Sequence, residues 1–224
     1  MYTLFGHKGC GSAAIEIALD LAQVEYQYID AASWVENDAL QALAEVNPLQ
    51  QIPTLVLPDH SIMTESAAIL IHLGMKYPES GLLPANTAAA AQVIRGLVFL
   101  AANCYSAISI IDYPERWLAS PVLESADGQE SRELAPKLSE YLREGSKKRL
   151  YYHWSLFIQS FPVSPYFSGV SLGALDILAA VISRWSGTRE YLQHHHADAY
   201  ELLRKIDGSA PCEAVITRHF EEIF

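Results

Sequence analysis

The chain has 224 residues, half of them hydrophobic and only 18% charged, with a formal net charge of −11. That composition supplies a sizeable core and excludes a disordered chain. The acidic balance, with Lys147, Lys148 and Arg149 as the one dense basic cluster, disfavours a nucleic-acid partner, whose phosphates call for clustered cations. Cys10, Cys104 and Cys212 are too few and too far apart for a disulfide framework or a zinc site, and they suit a reducing compartment. The N-terminus has no basic segment followed by an apolar core and a cleavage site. No apolar run reads as long enough to cross a bilayer, because GLVFLAANCYSAISII is interrupted by Asn103 and Ser106. The expectation is a cytoplasmic protein without a membrane partner.

In chain order, TLF is a short strand that leads into the turn GHKGCG. Ala13 to Ala22 reads as a helix in which Glu16, Asp20 and Gln23 form a single polar stripe; the rest is Ala, Ile and Leu and is expected to be buried. YQYI is a second strand, and Asn37 to Glu45 a second helix. In NPLQQIPTLVLPDHSIMTES, the apolar segments PTLVL and SIM are joined across Pro58-Asp59-His60 in the pattern of a hairpin. Ser66 opens a third helix, AAILIHLGMKY, which Pro78 ends. The order β-α-β-α-β-β-α predicts a parallel pair with a helical crossover, followed by antiparallel strands.

The stretch PESGLLPANT reads as a linker. Beyond it the predicted elements are all helical: AAAAQVIRGLVFLAANCYSAISIID, KKRLYYHWSLFIQSF, LDILAAVISRW, HADAYELLRKI and EAVITRHFEEI. The predicted units are residues 1–78, a linker at 79–87, and an all-α unit at 88–224. His194, His195 and His196 resemble a metal cluster, but neighbours on a helix point in different directions and no further ligand lies at suitable spacing, so a solvated turn is expected and no metal.

Three features carry chemistry. Cys10 sits in a glycine-flanked turn at a helix start, where it is either a reactive thiol or a small hydrophobe in a loop. A proline opening a strand, as in Ile52-Pro53, belongs at an edge or a cis turn; it exposes the backbone of Ile52 to an added strand, or it is simply a loop proline. Glu65-Ser66 opens a helix, either as an ordinary cap or as a site for a carboxylate at the unpaired N–H groups.

Together these pieces, YTLFGHKGCGSAAIEIALDLAQVEYQYID and NPLQQIPTLVLPDHSIMTESAAILIHLGMKYP, resemble the bacterial-type cytosolic glutathione transferase superfamily. The resemblance implies an α/β thioredoxin-like N-terminal domain, which binds glutathione, and an all-α C-terminal domain. It implies that Ile52, before Pro53, pairs with the cysteinyl backbone of glutathione. Glu65 and Ser66 would hold the γ-glutamyl end, and Gln51 would approach the glycyl end. It further implies a homodimer that takes glutathione as co-substrate with a small electrophile or a glutathionyl adduct. In the core-helix motif SGVSLGALDILAA, Gly173 stands where the family usually has Ser or Thr, and Asp176 reads as structural.

Family members activate the glutathione thiol with Tyr, Ser or Cys near the first helix, and here Cys10 and Ser12 are the candidates. The helix start, Lys8 and His7 are expected to lower the Cys10 pKa for nucleophilic chemistry. Ser12 would instead donate a hydrogen bond to the thiolate, unless it is only the helix cap. The motif CGSA excludes a dithiol couple. Tyr105, Tyr113 and Trp117 are candidates to line the electrophile pocket, or they belong to the core. The alternatives to a transferase are a cysteine-dependent reductase of glutathione mixed disulfides and a non-catalytic binding module of the same fold.

Overall fold

The computed structural model describes residues 1–35, 38–118 and 128–220, with the backbone alone for 128–133. Strand β1 (Tyr2–Gly6) pairs in parallel with β2 (Tyr26–Asp30) through helix α1 (Ser12–Leu21). Helix α2 (Asp38–Val46) crosses back to β3 (Thr54–Val56), which runs antiparallel to both β1 and β4 (Ile62–Met63). The sheet order is β2-β1-β3-β4, and α3 (Ser66–Lys76) follows the hairpin. The β-α-β-α-β-β-α reading therefore holds. The expected start of α2 at Asn37 lies outside the described residues.

The pleat divides the sheet into two apolar faces. Tyr2, Leu4 and Leu55 point into the main core with α1 and α3, whereas Phe5 points the other way onto Ala31, directly after β2, and Leu43 of α2. Gly6 ends β1 where a Cβ would lie 2.5 Å from that of Ser12, so the strand and α1 approach more closely than any other residue allows.

One stretch departs from the expected pattern. Residues Ser12 to Leu19 are all buried, Glu16 included, so the polar stripe predicted through Glu16, Asp20 and Gln23 breaks at its first member. The carboxylate of Glu16 accepts hydrogen bonds from His219 Nε2 and from Arg218 Nη2, the latter at 2.6 Å. Both donors come from the far end of the chain, which local periodicity does not reach.

After a 3₁₀ turn at Pro78–Ser80, helix α4 (Thr87–Phe99), a π-helical segment (Leu100–Tyr105) and α5 (Ser106–Asp112) form one continuous run. It is 26 residues long, and its most apolar 18 residues average a hydropathy of 1.6, so it is long and apolar enough to cross a membrane by length and composition, which corrects the reading from the sequence. The presumed interruptions are absorbed locally: Asn103 Nδ2 donates to Phe99 O and Ser106 Oγ to Ala102 O. Val93, Leu97, Leu100, Cys104 and Ile108 form a buried seam along it.

A 3₁₀ turn at Pro114–Trp117 follows, then α6 (Gly128–Ser160), α7 (Ala174–Ile182), α8 (Thr188–His195), α9 (Ala197–Asp207) and α10 (Ala210–His219). The chain thus joins a mixed four-stranded sheet with helices to a helical region. All nine residues of α7 are buried, as expected of a helix apolar on every side. The last predicted helix ends at His219, and its expected residues 221–223 lie outside the described residues. The solvated turn expected at His194–His196 is instead the end of helix α8, with Ser155 Oγ 2.8 Å from His196 Nε2. Among the described residues, no group of His, Cys, Asp or Glu is arranged to hold a metal.

Asp176 is fully buried at the start of α7 and accepts from three backbone N–H groups, those of Phe167 (2.7 Å), Ser168 (3.1 Å) and Gly173 (3.1 Å). It is structural, as read. Asp176→Ala leaves those donors without a partner and is expected to cost about 3 kcal/mol of stability, with Asp176→Asn costing less. Denaturant unfolding checks this, and a midpoint unchanged in both variants would contradict it.

Candidate active site

Parallel pairing of β1 with β2 brings the turn after β1 to the same end of the sheet as the loop entering β3 and the start of α3. The helical run closes this end from the other side. Between them lies a cleft of about 550 Å³, lined by Gly9, Cys10 and Gly11, by Gln50 to Pro53, by Thr64 to Ala67, and by Tyr105, Tyr113 and Trp117 among others.

Cys10 and Ser12 occupy different layers of the turn. Cys10 lines the cleft, with its thiol 3.7 Å from Lys8 O as donor. Ser12 is fully buried and absent from the lining; its hydroxyl donates to His7 O and accepts from His7 N, both at 3.2 Å. It is not the helix cap either, because Gly11 holds that position. The expectation of a lowered Cys10 pKa is reversed. Burial, and then the Asp30 carboxylate, push the thiol up to about 11. His7, expected to add positive potential, is engaged with Asp30 at 2.6 Å.

The loop before β3 is shaped by a residue that the sequence reading passed over. Asn47 is buried, and its amide donates to Gln51 O (3.0 Å) and Thr54 Oγ1 (2.9 Å), while its carbonyl accepts from Leu49 N (3.1 Å). The Asn47-Pro48 dipeptide was the available signal, since such pairs start turns. The Ile52-Pro53 peptide is cis. Among the described residues, no backbone hydrogen bond engages Ile52, which lines the cleft just before β3.

Glu65 has φ +66°, a conformation uncommon for a residue with a Cβ, and holds the cap position of α3 without a side-chain capping bond. Ser66 is the first helical residue, so the ordinary capping reading of Ser66 does not apply. Gly11 is the point where these parts meet. A Cβ there would lie 2.6 Å from Tyr105 Oη, 3.4 Å from Ser66 Oγ and 3.5 Å from Pro53 Cδ.

The aromatic candidates divide. Tyr105 lines the cleft, its ring edge-on to Trp185 at 5.6 Å between centroids. Trp185, which carried no signal in the sequence, donates from Nε1 to Gly9 O at 3.2 Å. Tyr113 stacks under the Arg116 guanidinium at 3.9 Å, and Trp117, 61% exposed, stands further out. On the opposite lip Trp34 is 55% exposed and contacts His7 edge-on. The other cysteines are removed from this chemistry: Cys104 and Cys212 are fully buried, and burial raises both thiols, to about 12 and about 11.

Residues 1–74 match the family model of the glutathione S-transferase N-terminal domain. YncG of Escherichia coli (strain K12), described as an uncharacterized GST-like protein, is 32% identical over 224 residues, covering 98% of each chain. A probable maleylacetoacetate isomerase of Caenorhabditis elegans is 37% identical over 70 residues, 31% of this chain and 32% of that protein. Among solved structures, a glutathione transferase homolog from Sulfitobacter with bound glutathione has a TM-score of 0.77 at 21% identity, covering 97% of both chains. A ternary complex of BphK, a bacterial GST, has a TM-score of 0.74 at 19% identity over 96% of this chain and 98% of that one. At such identities the structural likeness speaks for the fold, and the full-length relative for the lineage: the chain belongs to the glutathione S-transferase family.

Proposed function

We propose that the protein is a glutathione-dependent transferase that joins the glutathione thiolate to a small electrophile in this cleft. The observation that carries the reading is the convergence at Gly11, where the Cys10 turn, Pro53, Ser66 and Tyr105 surround one point. Solved relatives that hold glutathione support it. In this reading Ile52 offers its backbone N–H and C=O to the cysteinyl unit as an added strand. The start of α3 and Ser66 take the γ-glutamyl carboxylate, Glu65 takes its ammonium, and Gln51 faces the glycyl end. The electrophile lies toward Tyr105, Tyr113 and Trp117. The likeness to the family also supports a cytoplasmic homodimer divided at residues 79–87.

The raised thiol gives Cys10 its role. A group that titrates near 11 is protonated at neutral pH, so it donates S–H to the incoming thiolate and leaves the negative charge on glutathione. The glutathione thiol gives up its proton to solvent, its sulfur attacks the electrophile, and the leaving group departs with the bonding pair. A second reading, reduction of glutathione mixed disulfides, is favoured by one observation: Cys10 is the thiol that lines the cleft. It requires the Cys10 thiolate, which burial and then the Asp30 charge oppose.

Two measurements distinguish these roles. Cys10→Ala is expected to lower kcat/KM for conjugation of a chlorodinitrobenzene-type acceptor about 10- to 100-fold, while retention on immobilised glutathione persists. Ser12→Ala is expected to lower the unfolding temperature and leave that chemistry in place; the reverse pattern would make Ser12 the activating residue. Alkylation of Cys10 by iodoacetamide should keep rising about tenfold per pH unit to pH about 11. A plateau near neutral pH would instead mark a resident thiolate and favour the reductase.

A further inference from the structure

We propose that Tyr105 is a catalytic residue whose hydroxyl donates a hydrogen bond to the glutathione sulfur, as a second donor beside Cys10. The inference rests on the reading of the cleft as a glutathione site, and it concerns a side chain from the helical half of the chain.

Three observations support it. The first is the phase of the helix. Leu100–Tyr105 is a π-helical segment inside an otherwise α-helical run, and such insertions advance every later side chain around the axis; they occur frequently at functional sites. Here the segment ends on Tyr105, while the preceding Cys104 remains fully buried in the core seam. The second is the way the ring is held. It rests edge-on against Trp185, and Trp185 is pinned by its hydrogen bond to Gly9 O, in the same turn as Cys10. The position of Tyr105 is therefore referenced to the thiol turn itself.

The third is the hydroxyl. Oη stands 2.6 Å from the position a Cβ on Gly11 would occupy, at the first turn of α1 and facing the cleft. Among the described residues nothing hydrogen-bonds to it. The oxygen is not among the sealed, unpartnered polar atoms of the interior, so it is open to the cleft, where a ligand can reach it. Burial, with the charges of Cys10, Asp112 and Glu65, raises its pKa, so the group stays protonated across the physiological range. It is a donor throughout the reaction and never gives up its proton: the glutathione thiol releases its own to solvent, and the O–H then faces the anionic sulfur.

The test compares wild type with Tyr105→Phe, which keeps the ring. The pKa of the bound glutathione thiol is read from thiolate ultraviolet absorbance, and affinity for S-methylglutathione, which has no ionisable thiol, is read by calorimetry. Tyr105→Phe is expected to raise the bound-thiol pKa by about one unit. It should lower kcat/KM about tenfold below that pKa, with the two enzymes converging at high pH, and leave S-methylglutathione affinity within about twofold. An unchanged thiol pKa, or a loss confined to S-methylglutathione affinity, overturns the role of Tyr105. Failure of the wild-type protein to bind S-methylglutathione overturns the glutathione reading itself, and the proposal with it.

Discussion

From Ser12 to Leu19 helix α1 is buried, and the rest of the molecule is arranged around that enclosure. The sheet covers one flank, and α3, α7 and α10 cover the others. That buried stretch has no surface on which to place a charge, yet it carries Glu16 in its middle. An unpaired carboxylate there would cost several kcal/mol. Burial does push the Glu16 carboxyl upward, but the hydrogen bonds and charges of His219 and Arg218 outweigh it and hold the group below the ordinary carboxylate range. The final helix thereby becomes part of the support of the first. A second tie runs in the same sense: Trp185 bonds to Gly9, and the bend carrying Trp185 is fixed by the buried pairing of Arg184 and Arg189 with Asp207. The Cys10 turn is thus positioned by the helical half as much as by the sheet.

That enclosure sets the electrostatics at the mouth of α1. The nearest groups with resolved shifts are all displaced toward the neutral acid: Cys10 by burial and Asp30, Tyr105 by burial and the neighbouring charges, and Asp112 by burial, partly relieved by Arg143. A site of this kind does not generate a resident anion. It offers S–H and O–H donors to an anion brought by the substrate, and such donors act most strongly where water is excluded.

Much of the scaffold was legible because its signals are local. Strand alternation, the Pro58-Asp59-His60 hairpin turn and the apolar period of α3 each lie within a dozen residues, and the element order followed from them. Cys10, Ile52-Pro53 and Glu65-Ser66 could be singled out as turn and helix-start residues, and the fold gathers them along one cleft. What escaped depends on contacts distant in sequence. The burial of Glu16 is decided 202 residues away by Arg218. The raised Cys10 pKa is decided by burial among walls that the turn itself does not contain, and then by Asp30. The Ser12 hydroxyl is turned back onto His7, a rotamer choice that spacing does not encode. The long helix through Asn103 and Ser106 was legible as a helix; only its apolar length was underread, because Asn and Ser within a helix satisfy themselves on the preceding turn.

Gly11 shows why the two halves have to be read together. Within the first half it is one more glycine in a loop-to-helix turn, with an ordinary negative φ of −61° and no conformational demand of its own. The demand comes from outside. Tyr105 Oη, Ser66 Oγ and Pro53 Cδ all approach its α-carbon, and the closest would collide with a methyl group. A side chain at this position would also stand between the helix start and whatever the cleft holds. The absence of a Cβ therefore allows a hydroxyl from the helical half to reach the start of α1, beside the Cys10 turn. The cleft is completed by a residue too far along the chain for any motif around Cys10 to include it.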